Sequence, residues 1–249
     1  MINLQPVSII SVTRDGYFFS RLLVERIRAL IGVRPYEIII VDRGSKDATR
    51  RWMSQQPDVN LIKFAQWRTR GHGHAESAKK GIKAARYPNI VLLDSDAHPI
   101  AADWLENSVD SLNDSVRLSG AKFVDKHIGN PHGWYVHPHF MCFKKADVGN
   151  LIELRKLLGD DTDTGEEATI RVLGAGYEIR AFPIEFCLDF SVGHPRVPTV
   201  SNGVFHAWYV SRLEHEEANV IRETSGVVTR ESYLIPLQNK LRAAYGLDY

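Results

Sequence analysis

Hydrophobic residues in the first hundred positions fall into four short runs that contain almost no polar side chains. Such runs predict strands that are buried on both faces, as in the interior of a parallel sheet. Between them, apolar residues recur at helical spacing after turn residues, which predicts three helices. The predicted strands are residues 7–12, 36–41, 59–64 and 90–93, and the predicted helices are 18–31, one from about 48, and 75–85. Because parallel neighbours need a helix-length connection, this order predicts right-handed crossovers and a mainly parallel α/β sheet.

Beyond residue 96 the regular alternation is lost, and helical and extended patterns are mixed. Residues 204–210 fit either a short strand or the start of a helix. The patterns predict helices at 101–112, 146–158, 214–221 and 232–245, and a further helix that ends near residue 173. They also predict strands at 118–124, 140–143 and 177–182, and loops at 129–139 and 193–203.

Length and composition narrow the class of protein. A chain of 249 residues can bury a large core, and no linker divides it, so we expect one domain over residues 1–249. The net charge of +1 gives no overall field that would attract nucleic acid. Two widely spaced cysteines predict core thiols in a reducing compartment. The N-terminus lacks a signal-peptide pattern and no window of 18 residues is apolar, so we expect neither export nor membrane spanning, and a cytoplasmic location.

The clearest chemical signal is a pair of aspartates, Asp94 and Asp96, directly after the fourth apolar run. Ligands of open α/β sheets bind outside the carboxyl ends of the strands, which is where this pair is expected. Residues i and i+2 of an extended segment point to the same side, and Ser95 points away. Two adjacent carboxylates predict Mg²⁺ or Mn²⁺ bridging to substrate phosphates. The alternative is an Asp-rich turn that caps the next helix.

Four motifs occur in a fixed order along the first hundred residues: VSIISV, EIIIVDRGSKDAT, GHGHAESAKKGIKAA and IVLLDSDAHP. Together they resemble the nucleotide-binding half of the inverting glycosyltransferases of family 2. The resemblance is close over roughly residues 1–100 and looser beyond them. It implies the GT-A fold, a single Rossmann-like α/β domain with a nucleotide-binding half (1–100) and an acceptor-binding and catalytic half (101–249).

The resemblance also implies roles for particular side chains toward the donor. Asp42 would contact the uracil or ribose of a sugar nucleotide, and Asp94 would contact the ribose or the donor sugar. For Asp42 the residues alone leave open an Asx-turn before Gly44. The remaining candidates for contact with the donor are Thr13, Asp15, Arg70, Gly73 and Ser95.

Two residues are candidates for metal binding. Asp96 would ligate the cation on the diphosphate, and His206 lies in a segment, FHAWY, that resembles the late GT-A stretch whose histidine returns to the metal. Carboxylates with an imidazole suit Mn²⁺ better than Mg²⁺. The alternative for His206 is packing within an aromatic core.

The catalytic base is where the sequence departs from the family pattern. The usual Glu-Asp is replaced or shifted, and the candidates are Asp163, Glu166 and Glu167. One such carboxylate would take the proton of the acceptor hydroxyl as its oxygen attacks the anomeric carbon. The alternative is that these acids only favour a helix N-terminus.

The resemblance therefore implies a metal-dependent transfer of a sugar, with inversion, from a nucleotide sugar, expected to be a UDP-sugar, to a carbohydrate or other hydroxyl-bearing acceptor. A sugar nucleotidyltransferase and a GT-A-like nucleotide-binding protein without transferase activity stay open. The histidines at 72, 74, 132, 137 and 139 are interpreted as loop residues near donor or acceptor. The segment 232–245 is either packed on its own domain or in peripheral contact with a membrane.

Overall fold

The computed structural model of the chain describes residues 4–64, 73–124, 130–154, 164–208, 210, 213, 220–223 and 226–249. The strands are β1 (Val7–Thr13), β2 (Tyr36–Asp42), β3 (Val59–Lys63), β4 (Asn89–Asp94), β5 (Ala97–Pro99), β6 (Val116–Val124), β7 (Trp134–Lys144), β8 (Glu178–Pro183), β9 (Glu185–Phe186), β10 (Thr199–Ser201), β11 (Val204–His206), β12 (Val220–Glu223) and β13 (Gly226–Thr229). The α-helices are α1 (Tyr17–Leu30), α2 (Ala48–Met53), α3 (Gly73–Ala84), α4 (Glu166–Gly174) and α5 (Ile235–Tyr245), the last preceded by a π-helical turn, Arg230–Leu234.

The main sheet has seven strands in the order β3-β2-β1-β4-β7-β6-β8. The first four are parallel to one another. Strand β7 lies antiparallel between β4 and β6, and β8 is parallel to β6. The mainly parallel α/β sheet predicted from the sequence is confirmed.

The parallel strands β1, β2 and β4 are mostly apolar and buried because helices cover both faces of the sheet, whereas the edge strand β3 is partly exposed. Helix α1 packs on one face, and α3 packs on the other. The core on the α1 side includes Ile9, Leu23, Ile27, Ile38 and Val91, and the core on the α3 side includes Ile10, Ile39, Ala78, Ile82 and Leu92. Both cysteines are free and buried, as expected for core thiols.

A second sheet, in the order β5-β11-β10-β9, carries the C-terminal part of the chain back to the end of β4. Strand β11 runs antiparallel to β5, and His206 pairs with Ala97. The amide of Ala207 also donates a hydrogen bond to the carbonyl of Asp96, at 3.1 Å. These pairings bring His206 beside the aspartates although 110 positions separate them in sequence.

Two predicted helices are wrong in the described residues. Residues 101–112 form consecutive turns, whose buried Trp104, Leu105 and Val109 produce apolar spacing without a continuous helical ladder. The segment predicted as a helix over 146–158 contains only the end of a 3₁₀ turn, Lys145–Asp147, up to residue 154. Val148 is extended there and Gly149 has φ +88°, so the chain cannot continue as a helix.

Three further elements differ from those predicted from the sequence. Residues 134–139, predicted as loop, belong to β7, and part of the predicted loop 193–203 is β10. Residues 220–221 begin strand β12 instead of ending a helix, while 214–219 lie outside the described residues. Both alternatives for 204–210 occur in part, because Val204–His206 form strand β11 and residue 210 is helical.

A helix that crosses a bilayer needs about 20 mostly apolar residues. No helix within the described residues is both long enough and apolar enough to do so.

Helix α3 approaches the sheet closely at Gly81, and this contact generates a prediction. A Cβ atom there would lie 2.5 Å from Ile10 Cγ2 and 3.2 Å from Val41 Cγ2. We expect Gly81→Ala to lower the free energy of unfolding by about 1–3 kcal/mol through overpacking, measured by urea denaturation. The control is Gly174→Ala in α4, where a Cβ meets no atom within 4 Å and alanine should be neutral or stabilising. Equal effects at the two sites would contradict this packing.

Candidate functional site

Three parallel strands end together at one edge of the main sheet. Thr13 at the end of β1 pairs with Asp42 at the end of β2, and Val12 pairs with Asp94 at the end of β4. Three predicted site residues are therefore neighbours because of strand register alone. This edge is the usual ligand-binding edge of a parallel sheet.

Asp94, Asp96 and His206 form a cluster at this edge. One ligand atom from each lies within 4.8 Å of the others. His206 Nε2 is 3.4 Å from Asp96 Oδ1 and 3.9 Å from Asp94 Oδ2. Asp96 and His206 are both 3% exposed, whereas the Asp94 side chain is 24% exposed, so the cluster opens on the Asp94 side.

Ser95, between the two aspartates, is buried and its hydroxyl makes no hydrogen bond within the described ranges. On the open side, His74 Nε2 of α3 lies 3.5 Å from Asp94 Oδ1. His74 is thus in the first turn of a helix, not in the loop predicted for it.

The donor set of this cluster fits a divalent cation. Two carboxylates and an imidazole converge here, and such mixed oxygen and nitrogen ligands are typical of Mn²⁺ sites. Carboxylates in this proximity repel each other when ionised, and a cation between them would remove that cost.

Asp42 already has structural partners. Its carboxylate is fully buried, accepts a hydrogen bond from the amide of Ser45 at 2.9 Å and binds the Arg50 guanidinium at 2.5 Å. The carboxylate therefore fixes the turn after β2 through the amide three residues on, not two residues on as in the Asx-turn considered from the sequence. Contact with a nucleotide stays a prediction, and it would have to be made alongside these bonds.

Asp15 and Thr13 also hold the loops at this edge. The Asp15 carboxylate accepts hydrogen bonds from the amides of Lys46 and Asp47, and its own amide donates to Ser45 Oγ at 2.9 Å. Asp15 has φ +48°, a left-handed conformation that these bonds stabilise. Thr13 Oγ1 lies 2.6 Å from Ser20 Oγ of α1.

Arg43, which the sequence analysis did not single out, lies over the start of α3. A Cβ at Gly73 would be 2.1 Å from Arg43 Nη2, so the guanidinium would have to shift to admit a side chain there. Burial and the nearby Arg14 lower the pKa of the Arg43 guanidinium. Two neighbouring guanidinium groups favour an anionic ligand. Arg70, the other predicted cation, lies outside the described residues.

The base candidates differ in their surroundings. Glu166, at the start of α4, is 1% exposed. Glu167 Oε1 accepts a hydrogen bond from Arg171 Nε at 2.7 Å, one helical turn later. Helix α4 starts against β7, because a Cβ at Gly165 would lie 1.8 Å from the Val136 carbonyl oxygen. Asp163 lies outside the described residues.

Strand β7 carries two histidines that the sequence analysis assigned to a loop. Lys122 pairs with Val136 and Gly120 with Met141, so five steps along β7 oppose two along β6. This bulge accommodates Pro138, which a regular central strand excludes. Gly120, with φ +148°, permits it, because a Cβ there would lie 2.2 Å from the Phe140 carbonyl oxygen.

The bulge directs His137 and His139 toward His206. Burial, together with His206 and His137, holds the pKa of His139 well below its usual range, so this imidazole is neutral. The period of two in Tyr135-Val136-His137-Pro138-His139 was the available sign that both rings share one face.

Comparison with solved structures identifies the fold. The chain resembles a mannosyltransferase from Pyrobaculum calidifontis in complex with GDP-Man and Mn²⁺ (TM-score 0.56, 20% identity, 73% of this chain and 56% of that one). It also resembles glucosyl-3-phosphoglycerate synthase from Mycobacterium tuberculosis, solved with Mn²⁺ and UDP (TM-score 0.53, 16% identity, 72% and 70%). A third similar structure is 4-diphosphocytidyl-2C-methyl-D-erythritol synthase from Anaerococcus prevotii (TM-score 0.50, 12% identity, 72% and 89%). The fold is that of the GT-A glycosyltransferases.

The family of the chain is identified by a match of its sequence to a family model. Residues 8–165 match the model of Glycosyl transferase family 2, a span that includes the ends of β1, β2 and β4. The chain belongs to glycosyl transferase family 2. It spans little more than half the length of the mannosyltransferase that it resembles, and a search of curated proteins gives no match.

The cluster predicts a specific loss of metal binding. We expect Asp96→Asn to weaken Mn²⁺ binding at least about tenfold, because it keeps the side-chain shape and removes a buried ligand charge. Electron paramagnetic resonance of free Mn²⁺ measures this directly. Asp103→Asn, at an exposed position, is the control and should bind as the wild type does. Identical Mn²⁺ affinity in the two variants would exclude Asp96 as a ligand.

Proposed function

We propose that the protein transfers a sugar from a nucleotide-sugar donor to an acceptor hydroxyl, with inversion at the anomeric carbon and dependence on a divalent cation. The observation that carries this proposal is the cluster of Asp94, Asp96 and His206 at the strand ends of a family 2 chain. Two of the structures that this fold resembles hold GDP-Man or UDP together with Mn²⁺. A UDP-sugar is our proposed donor.

In this proposal Asp94, Asp96 and His206 hold the cation, Mn²⁺ in preference to Mg²⁺. When bound, the cation offsets the charge that develops on the departing diphosphate. The Asp94 side chain, 24% exposed, would face the donor, and the buried carboxylate of Asp96 would ligate the cation. Arg43 and Arg14 supply positive charge at the same edge for the anionic donor.

We propose that residues 1–100 bind the nucleotide through Asp15, Asp42 and the ends of β1, β2 and β4. Residues 101–249 bind the acceptor and supply the base. The bonds of Asp42 to Ser45 and Arg50 then serve to fix its carboxylate before the donor arrives. The cytoplasmic location expected from the sequence stays a prediction.

Among the described acids we propose Glu166 as the base. The carboxylate of Glu167 is engaged by Arg171, and it would have to give up that pair to accept a proton. The Glu166 side chain is buried at the start of α4. It takes the acceptor proton as the acceptor oxygen forms its bond to the anomeric carbon. The bond from that carbon to the diphosphate breaks on the opposite face, which inverts the configuration.

The central test is turnover with a panel of UDP- and GDP-sugars and simple sugar acceptors in Mn²⁺. We expect release of nucleoside diphosphate that stops with EDTA and returns with added Mn²⁺, because the carboxylate pair needs a cation to receive the diphosphate. The anomeric configuration of the product, read by NMR, tests inversion. Donor binding without any release of diphosphate would contradict the proposal.

A sugar nucleotidyltransferase is the second candidate, favoured by the similarity to the synthase from Anaerococcus prevotii. Such an enzyme would release pyrophosphate from a nucleoside triphosphate and a sugar phosphate. The same preparation should be tested with those substrates. Pyrophosphate release without diphosphate release from sugar nucleotides would favour this candidate.

The base assignment is tested by matched glutamine variants. We expect Glu166→Gln to reduce kcat by about 10²–10⁴-fold, because general base catalysis contributes that much, with donor binding retained. Glu167→Gln should change kcat less, since it removes only a bond to Arg171. Asp163→Asn completes the set. If that variant loses kcat and Glu166→Gln does not, the base is Asp163.

A further inference from the structure

His206 packs against two aromatic rings that lie on adjacent sides of it, with their own centroids 5.8 Å apart. The imidazole of His139 lies parallel to it, with ring centroids 4.2 Å apart and an interplanar angle of 9°. The indole of Trp208 lies 4.4 Å from the same ring at 49°. Because His206 is 3% exposed, these two rings leave it little freedom to rotate.

Among the described residues, His206 lacks the hydrogen bond that usually orients a metal-binding imidazole. Such an imidazole generally donates its second ring nitrogen to a carboxylate or a carbonyl, which fixes its orientation. His206 Nε2 faces the two aspartates, and Nδ1 is buried without a hydrogen-bond partner among the described residues. The orientation of His206 therefore depends on packing.

His139 is itself fixed by the bulge of β7. Its ring is fully buried, and its Nδ1 lies 2.8 Å from His137 Nδ1. His137 Nδ1 also accepts from the backbone amide of His139, at 3.2 Å, so the proton shared by the rings belongs to His139 Nδ1. The ring that packs on His206 is thus immobilised by its own neighbour.

Trp208 has a strained backbone conformation that its contacts maintain. It has φ +53°, which is unusual for a residue with a large side chain. The indole Nε1 donates a hydrogen bond to Thr199 Oγ1 at 2.7 Å. Strained conformations of this kind persist where the surrounding contacts fix them, and they often accompany functional sites.

We propose that His139 is a positioning residue for the metal site: its ring, stacked on His206 and supported by Trp208, aims His206 Nε2 at the cation without being a ligand. The proposal rests on the proposed function, whose metal site it deepens. Neither nitrogen of His139 belongs to the described group of converging ligand atoms. What His139 contributes is therefore a flat, rigid ring face.

The experiment separates the ring face from the ring nitrogens. Mn²⁺ affinity of the full chain, without donor or acceptor, is measured by isothermal titration calorimetry for His139→Ala and His139→Phe. We expect His139→Ala to lose about tenfold in affinity, as outer-shell residues of metal sites do, and His139→Phe to stay within about twofold of the wild type. His132→Ala, at an exposed histidine of the same region, is the control and should bind normally.

A double-mutant cycle tests whether the effect passes through His206. In a His206→Ala background, adding His139→Ala should cause no further loss of Mn²⁺ affinity. A further tenfold loss there, or a loss in His139→Phe equal to that in His139→Ala, would overturn the proposal by showing that a nitrogen of His139 acts on the metal. Unchanged affinity in His139→Ala would overturn it as well.

The titrations distinguish a variant that does not fold from a wild-type protein that binds no Mn²⁺. If His139→Ala does not fold, His139→Phe decides between ring face and ring nitrogen, and the same titration with Trp208→Phe, expected within about twofold, tests the second ring. If the wild type binds no Mn²⁺, the proposed metal site and this inference fall together. If the wild type and His139→Ala bind Mn²⁺ with equal affinity, the proposed metal site stands and only the role of His139 is refuted.

Discussion

The repulsion between two carboxylates at the end of β4 is the constraint on which the candidate site depends. Asp94 and Asp96 each place an oxygen within the 4.8 Å cluster. Two full charges at that distance repel by about 3 kcal/mol at an effective dielectric constant of 20. A protein keeps such a pair only where positive charge or protons offset it. His206 and His74 lie beside these carboxylates, and a divalent cation bound by the pair would offset their negative charge.

The arrangement follows from two sheets that meet at one point. The parallel strands of the main sheet deliver Asp94 and Asp42 to a common edge, while the pairing of β11 with β5 delivers His206 from the far end of the chain. The bulge of β7 fills the space behind His206 with the ring of His139. Strand pairing therefore sets both the ligands and their support, and none of the three pieces forms a site alone.

Local patterns predicted the first half well because its strands are covered on both faces. Apolar runs such as Ile90–Leu93 leave no other assignment, and the acids that follow them fall at the strand ends. The second half was predicted less well because tertiary contacts decide it. Pro138 indicated a loop, but a bulge accommodates it in β7, and the apolar spacing around Trp104 belongs to packed turns. His206 was found only through a family resemblance, since its partner strand is distant in sequence, and the supporting role proposed for His139 needed the fold.

Membership of family 2 and the GT-A fold place the chain among glycosyltransferases, and the cluster at β4 connects that class to a reaction. The most direct test is anomalous diffraction at the manganese edge from crystals soaked with Mn²⁺ and UDP. The account predicts a single strong peak within ligand distance, about 2 Å, of Asp96 and His206, with the diphosphate on the Asp94 side. A manganese peak elsewhere, with UDP bound and no ion between these side chains, would contradict it.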